Sequence, residues 1–222
     1  MPDGAIGEHT GRGRGRTGRP PLTDERKAET RLEIARAAVE LFVDQGVAAT
    51  TGEQIAQVVG VSARTLWRYF PSKESCASPL FAAGIDAIAV ALRAWPTDRP
   101  LEDVLVRAST TAEGAVASPQ PPRVRTLLRL TRTEPGLRAV WLQAHDDAEP
   151  VFARALADRA GLDAVDLRSE IQAAMLNAAL RAAVEHYAWR TDEEEPDDPV
   201  TAQAELAETL RSALVVAAKG IS

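Results

Sequence analysis

From residue 25 onward apolar residues recur at helical spacing, and no segment alternates with the period of two that a half-buried strand requires. Ile34, Ala38, Leu41 and Phe42 form a stripe at i, i+4, i+7 and i+8, Arg31, Glu33, Arg36, Glu40 and Asp44 lie off it, and Gly46 ends this first helix. Ile55, Ala56 and Val59 predict a second, short helix, with Thr50 as N-cap and Glu53, three residues on, completing a capping box. Gly60 supplies a positive-φ stop, Val61 plugs the turn, and Ser62 caps a third helix whose Leu66 and Phe70 point inward. Pro71 and Ser72 close it and start a fourth helix, with Lys73 in its first turn, running to about Ala94. Pro79 and Gly84 interrupt that helix, and a kink or break is expected near Ser78. Further helices are predicted at about 100–117, 123–133, 137–160 after a Pro135-Gly136 turn and with a bend at Pro150, Val165 to Trp189, and Thr201 to Lys219 after the acidic loop Asp192 to Asp198. The pattern is that of an all-α chain of about nine helices without an internal repeat.

The second and third helices, joined by the tight turn at Gly60, make a helix-turn-helix over about residues 51–70. With Leu66 and Phe70 inward, the third helix turns Arg64, Thr65, Trp67, Arg68 and Tyr69 outward, a surface suited to phosphates and base edges. Arg64 offers two parallel donors to guanine O6 and N7, and a solvated surface arginine is its plain alternative.

The formal net charge of −6 over 222 residues runs against contact with a polyanion, but the charge is unevenly divided: residues 1–75 carry +1 and residues 76–222 carry −7. Residues 9–20 hold Arg12, Arg14, Arg16 and Arg19 with no acid, a cationic arm able to neutralise phosphates. Residues 1–24 are rich in Gly, Arg, Thr and Pro and are expected to be disordered in the free protein. Gly18-Arg19-Pro20 echoes a segment that lies in an A·T minor groove, and a solubilising tail accounts for it equally. A single cysteine argues for a reducing compartment, and no apolar run approaches the length that spans a bilayer, so a cytoplasmic protein is expected, with no membrane partner.

These residues carry a resemblance to the tetracycline-repressor (TetR) family of bacterial transcriptional regulators over roughly residues 28–88. Thr50-Thr51, Ile55-Ala56, Gly60-Val61-Ser62, Thr65, Tyr69-Phe70 and Ser72-Lys73-Glu74 fall at the family's spacing. Three positions depart from it: Gly52 where a β-branched or aliphatic residue is usual, Trp67 in place of tyrosine and Cys76 in place of leucine. The resemblance implies a homodimer on a palindromic operator of double-stranded DNA and a larger all-helical C-terminal domain that binds a small molecule and dimerises through its last two helices. It also implies phosphate contacts for Thr51, Thr65, Tyr69 and Lys73, and a base-reading surface of Ala63, Arg64, Trp67 and Arg68, next to Ser62. Residues 123–189 are similar to ligand domains of actinobacterial regulators related to those of mycofactocin clusters. The expected domains are therefore an arm at 1–24, a DNA-binding domain at 25–88 and a ligand-binding and dimerisation domain at 89–222.

Little else announces chemistry. His9, His145 and His186 are too scattered for a metal site, and no nucleophile–base pair or phosphate-cradling glycine loop supports an enzyme, so no cofactor is expected. Cys76 reads as a buried inert thiol, with a redox sensor near Lys73 as the alternative. Candidate contacts for a largely apolar ligand are Trp95, Arg129, Trp141, His145, Met175 and Asn177; Trp141 and His145 share a helix face. Arg125, Arg129 and Arg132 form a stripe that reads as a solvated face, or as a site for an anionic ligand. Ala174, Ala178 and Ala182 on one helix and Leu206, Leu210, Ala213, Leu214 and Ala217 on the next give apolar faces fit for a four-helix interface between chains or for the core of one chain. The function expected is a ligand-responsive regulator, most simply a repressor, against a ligand-independent architectural DNA binder or an enzyme with an accessory helix-turn-helix.

Overall fold

The computed structural model describes residues 24–96, 98–110, 121–190 and 199–219. Among them the fold is all-α: α1 (Asp24–Gln45), α2 (Gly52–Val59), α3 (Ala63–Tyr69), a 3₁₀ turn (Glu74–Ala77), α4 (Ser78–Arg93), α5 (Leu101–Thr110), α6 (Pro121–Thr133), α7 (Pro135–Arg159), α8 (Leu167–Ala188) and α9 (Pro199–Lys219). The arm bearing Arg14, Arg16 and Arg19, and the acidic loop at 192–198, lie outside the described residues.

Helices α1 to α3 close on one core. Ile34, Ala38 and Phe42 of α1, Ile55 and Ala56 of α2, and Leu66 and Phe70 around α3 are all essentially inaccessible to solvent. Truncating a fully buried phenylalanine such as Phe42 costs about 3–5 kcal/mol, so this core fixes how the three helices sit. Gly46 (φ 86°) and Gly60 (φ 72°) end α1 and α2 in left-handed backbone, where a side chain is disfavoured.

The expected N-cap of α2 is corrected by one residue. Thr51 is the cap: its hydroxyl accepts from Gln54 N at 3.2 Å, and Gln54 Oε1 accepts from Thr51 N at 2.8 Å. Thr50 is buried instead and donates to Gly46 O at 2.8 Å, so its hydroxyl is spent closing the α1–α2 turn.

The fourth helix is broken where the proline suggested. Ser72 Oγ accepts from Ser75 N, the 3₁₀ turn follows, and Pro79 falls in the first turn of α4, where its missing N–H removes no helical bond. The expected Pro135-Gly136 turn is likewise a helix start: Glu134 stands at the N-cap position of α7, without a side-chain capping bond, and Pro135 is in its first turn. Pro150 lies inside α7, which continues to Arg159.

Residues Glu74–Arg93 also correct the expectation about apolar runs, being long and apolar enough by composition to cross a bilayer. The apolar side chains of this stretch that are buried join two cores, while Val90 stays exposed. Cys76, Ala77, Leu80 and Phe81 join the core of α1–α3, which also takes in Leu127, Leu137 and Trp141 of α6 and α7. Ile88, Ala89 and Leu92 join a second core with Leu105, Phe152, Leu176, Leu180, Leu210 and Leu214 from α5, α7, α8 and α9. Helix α4 therefore has one end in each.

Candidate nucleic-acid interface

Helix α3 is seven residues long, and Leu66 and Phe70 anchor one side of it. Arg64, Trp67 and Arg68 stand exposed at i, i+3 and i+4, on one face. Ser62, also exposed, caps the helix: its Oγ accepts from Thr65 N at 3.1 Å and sits 2.9 Å from Thr65 Oγ1. Ala63, Thr65 and Tyr69 are half-buried, and Thr51 is exposed at the start of α2. The Arg68 guanidinium lies 5.2 Å from the Tyr69 ring centre. Arg31 of α1 buttresses the helix from behind, donating to Tyr69 O at 3.2 Å and stacking on Phe70. A short helix held at both ends and along its back presents a fixed cationic and aromatic face, the requirement for reading a groove.

Two positions behave in ways the sequence did not announce. Lys73 lies outside any α-helical first turn; it precedes the 3₁₀ turn, and its ammonium donates to Val47 O at 2.6 Å and Thr50 O at 2.9 Å. Gly52 is buried without a side chain of its own, because the Trp67 indole lies over it.

The six candidate ligand contacts do not converge. Trp141, His145 and Asn177 do meet, buried between α7 and α8. His145 packs edge-on to Trp141 with ring centres 4.2 Å apart, and its Nδ1 is 2.6 Å from Asn177 Oδ1. The Asn177 amide donates to His145 O and Glu149 Oε1, which leaves its oxygen as acceptor and makes Nδ1 the protonated nitrogen of a neutral ring. His145 Nε2 is then a buried acceptor with no partner among the described residues. Burial pushes the His145 pKa below its ordinary 6.5, against the opposing pull of the Asn177 bond. Beside it Glu185 accepts from Trp141 Nε1 at 2.9 Å and pairs with Arg138.

Trp95 lies apart at the end of α4, with the Arg159 guanidinium 3.6 Å from its ring centre. Arg129 reaches toward Arg190 O, and Met175 is exposed on the outer face of α8. Glu149 and Glu185 were missed, although the signal was present: Trp141, His145 and Glu149 on α7, and Asn177, Arg181 and Glu185 on α8, are two ladders at i, i+4 spacing that face each other. The solvated-face reading of the arginine stripe fails at Arg125, which is buried with its guanidinium over the Tyr187 ring.

Cys76 is fully buried, and desolvation followed by the nearby Glu74 charge pushes its pKa up to about 12, the opposite of an activated thiol. The last two helices divide their faces. Leu210 and Leu214 are in the second core, whereas Met175, Ala178, Ala182, Ser212, Ala213 and Val216 line an outward groove of about 840 Å³ between α8 and α9.

Comparison with known proteins bears on both halves of the chain. The family model for bacterial regulatory proteins of the tetR family matches residues 34–78, and that of the MftR C-terminal domain matches residues 99–220. The HTH-type transcriptional regulator TcmR of Streptomyces glaucescens is 32% identical over 179 residues, covering 78% of this chain and 79% of that protein. MftR of Mycobacterium tuberculosis, named for regulation of mycofactocin biosynthesis, is 29% identical over 169 residues, covering 76% and 83%. Among solved structures, the fatty acid degradation regulator FadR of Bacillus halodurans shares the fold, with a TM-score of 0.52 at 17% identity over 83% of this chain and 94% of that one.

Proposed function

The chain belongs to the TetR family of DNA-binding transcriptional regulators, and from that premise we propose that it is a ligand-responsive repressor acting in the cytoplasm, binding a palindromic operator as a homodimer. The observation that carries the reading is the α3 surface: Arg64, Trp67 and Arg68 exposed on one face of a helix whose other face is locked by Leu66 and Phe70. Arg64 and Arg68 address base edges, and Thr51, Ser62, Thr65 and Tyr69 lie around them where phosphates would pass. Arg14, Arg16 and Arg19 would add sequence-independent, salt-sensitive affinity. No catalytic role is assigned.

The α8–α9 groove supports dimerisation, since small residues there permit close approach of the same two helices from a second copy. Two recognition helices fixed in this way would enter successive major grooves about one helical turn apart, roughly 34 Å. The ligand is proposed to be a largely apolar small molecule that contacts the Trp141–His145–Asn177 cluster. Trp141 is its link to DNA: the indole packs on Phe81 of α4, ring centres 5.1 Å apart, in the core shared with α1–α3. A ligand that favours one arrangement of α7 over another would shift the population of operator-competent dimers by its differential affinity.

The test is release from DNA. Operator complexes are challenged with a panel of apolar small molecules, and the stoichiometry of the complex is measured in parallel. Two chains per site and release by at least one compound, abolished by substitutions at His145 or Asn177 that leave operator binding intact, are expected. A monomer on DNA would overturn the dimer, and release that ignores both substitutions would overturn this ligand site.

A further inference from the structure

We propose that Gly52 and Trp67 act as one interlocked element that sets the sequence preference of the DNA interface; this rests on the DNA-binding reading above and adds to it the residue pair that orients the reading helix. Gly52 stands in the first turn of α2, where glycine is locally unfavourable relative to alanine. Its backbone is not in the left-handed region that explains Gly46 and Gly60. The reason for glycine is the neighbour: a Cβ placed there would lie 2.1 Å from Trp67 Cζ2 and 2.4 Å from Cη2, well inside contact distance. No other residue at 52 coexists with the indole in this position.

The consequence is geometric. An indole that would otherwise swing freely from a surface helix is seated on bare backbone, so α2 and α3 are pinned to each other outside their buried core as well as within it. Trp67 nevertheless remains 41% exposed, on the same face as Arg64 and Arg68. Part of the ring thus fixes the angle of α3, and the rest forms part of the surface offered to DNA. A smaller ring at 67 leaves the seat empty, a side chain at 52 expels the ring, and only a paired change keeps the surfaces complementary. Trp67 is therefore a positioning residue as well as a candidate base contact, and Gly52 determines specificity without approaching a base.

The experiment is a double-mutant cycle on the full chain, comparing wild type, Gly52→Val, Trp67→Tyr and the double variant. Affinity for the operator and for scrambled duplex is read at one fixed salt concentration, and denaturant unfolding is measured alongside. Each single change is expected to weaken operator binding at least about tenfold and to narrow the gap to scrambled DNA, and the double variant to regain most of the affinity. Should Gly52→Val fail to fold, Gly52→Ala takes its place in the cycle. Losses that simply multiply in the double variant, or single variants that discriminate as wild type does, would overturn the interlock while leaving DNA binding standing. Wild-type protein that fails to discriminate operator from scrambled DNA would overturn the regulator reading, and the interlock with it.

Discussion

The Lys73 ammonium donates to the Val47 carbonyl at 2.6 Å and to the Thr50 carbonyl at 2.9 Å, closing the α1–α2 turn from the far side of the helix-turn-helix. Carbonyls of a tight turn have few partners, and hydrogen bonds to a charged donor contribute about 1.5–3 kcal/mol. Lys73→Met should therefore lower the unfolding free energy by about 1–3 kcal/mol, measured by urea denaturation. A phosphate contact predicts a different signature, unchanged stability with the salt slope of DNA binding reduced by about one. The first outcome is expected.

Arg64 should behave otherwise. It is exposed, and no hydrogen bond to the protein fixes it among the described residues. Arg64→Ala should leave stability within about 0.5 kcal/mol and relax base preference at one operator position per half-site by about 1–3 kcal/mol. Competition among single-base operator variants measures this, and a uniform loss across all of them would remove Arg64 from base reading.

The burial of His145 gives stability a pH dependence whose sign follows from its lowered pKa. Burial, with Arg181 reinforcing it, lowers the folded-state pKa below the ordinary 6.5, while Asn177, Glu185 and Glu149 pull the other way. Well above pH 6.5, toward pH 8, the ring is neutral whether folded or unfolded, and its contribution is complete. As pH falls below 6.5 the unfolded chain takes up the proton first, so stability declines until the folded ring protonates too. Unfolding free energies from pH 8 to pH 5 should fall more steeply for wild type than for His145→Gln, and parallel curves would contradict the assignment.

Two glycines outside the turns should respond to alanine by different amounts. Gly84, within α4, has open space where a Cβ would go, so Gly84→Ala should raise stability by up to about 1 kcal/mol. At Gly136, in the first turn of α7, a Cβ would lie 2.8 Å from Glu74 Cγ, so Gly136→Ala must turn that partly exposed side chain aside and should gain less than Gly84→Ala, changing stability by under about 1 kcal/mol. Thermal or urea unfolding measures both, and a Gly84→Ala variant less stable than wild type would contradict the open space at that position.

The helices and the exposed face of α3 were legible because local rules set them: the periodicity of Ile34, Ala38 and Phe42, the stop at Gly60 and the cap at Ser62 each need only a few neighbouring residues. The same proximity misled at Thr50, since two adjacent threonines can both cap and only the packed turn shows which hydroxyl is already spent on Gly46. What was not legible depends on distant partners. The seating of Trp67 on Gly52 spans fifteen residues and a turn, and the bonds from Lys73 to Val47 and Thr50 span more than twenty. The ladders of α7 and α8 were visible as spacing, but their pairing depends on an antiparallel register that no local pattern encodes.

Whether the α3 face reads a specific DNA sequence is measured by binding of the purified chain to the DNA upstream of its own coding sequence and to scrambled duplex at near-physiological salt, with footprinting of any complex. A protected palindrome, bound by two chains with a preference over scrambled DNA of at least about a thousandfold, is the expected result. Equal affinity for that DNA, for genomic fragments and for the scrambled duplex would contradict it.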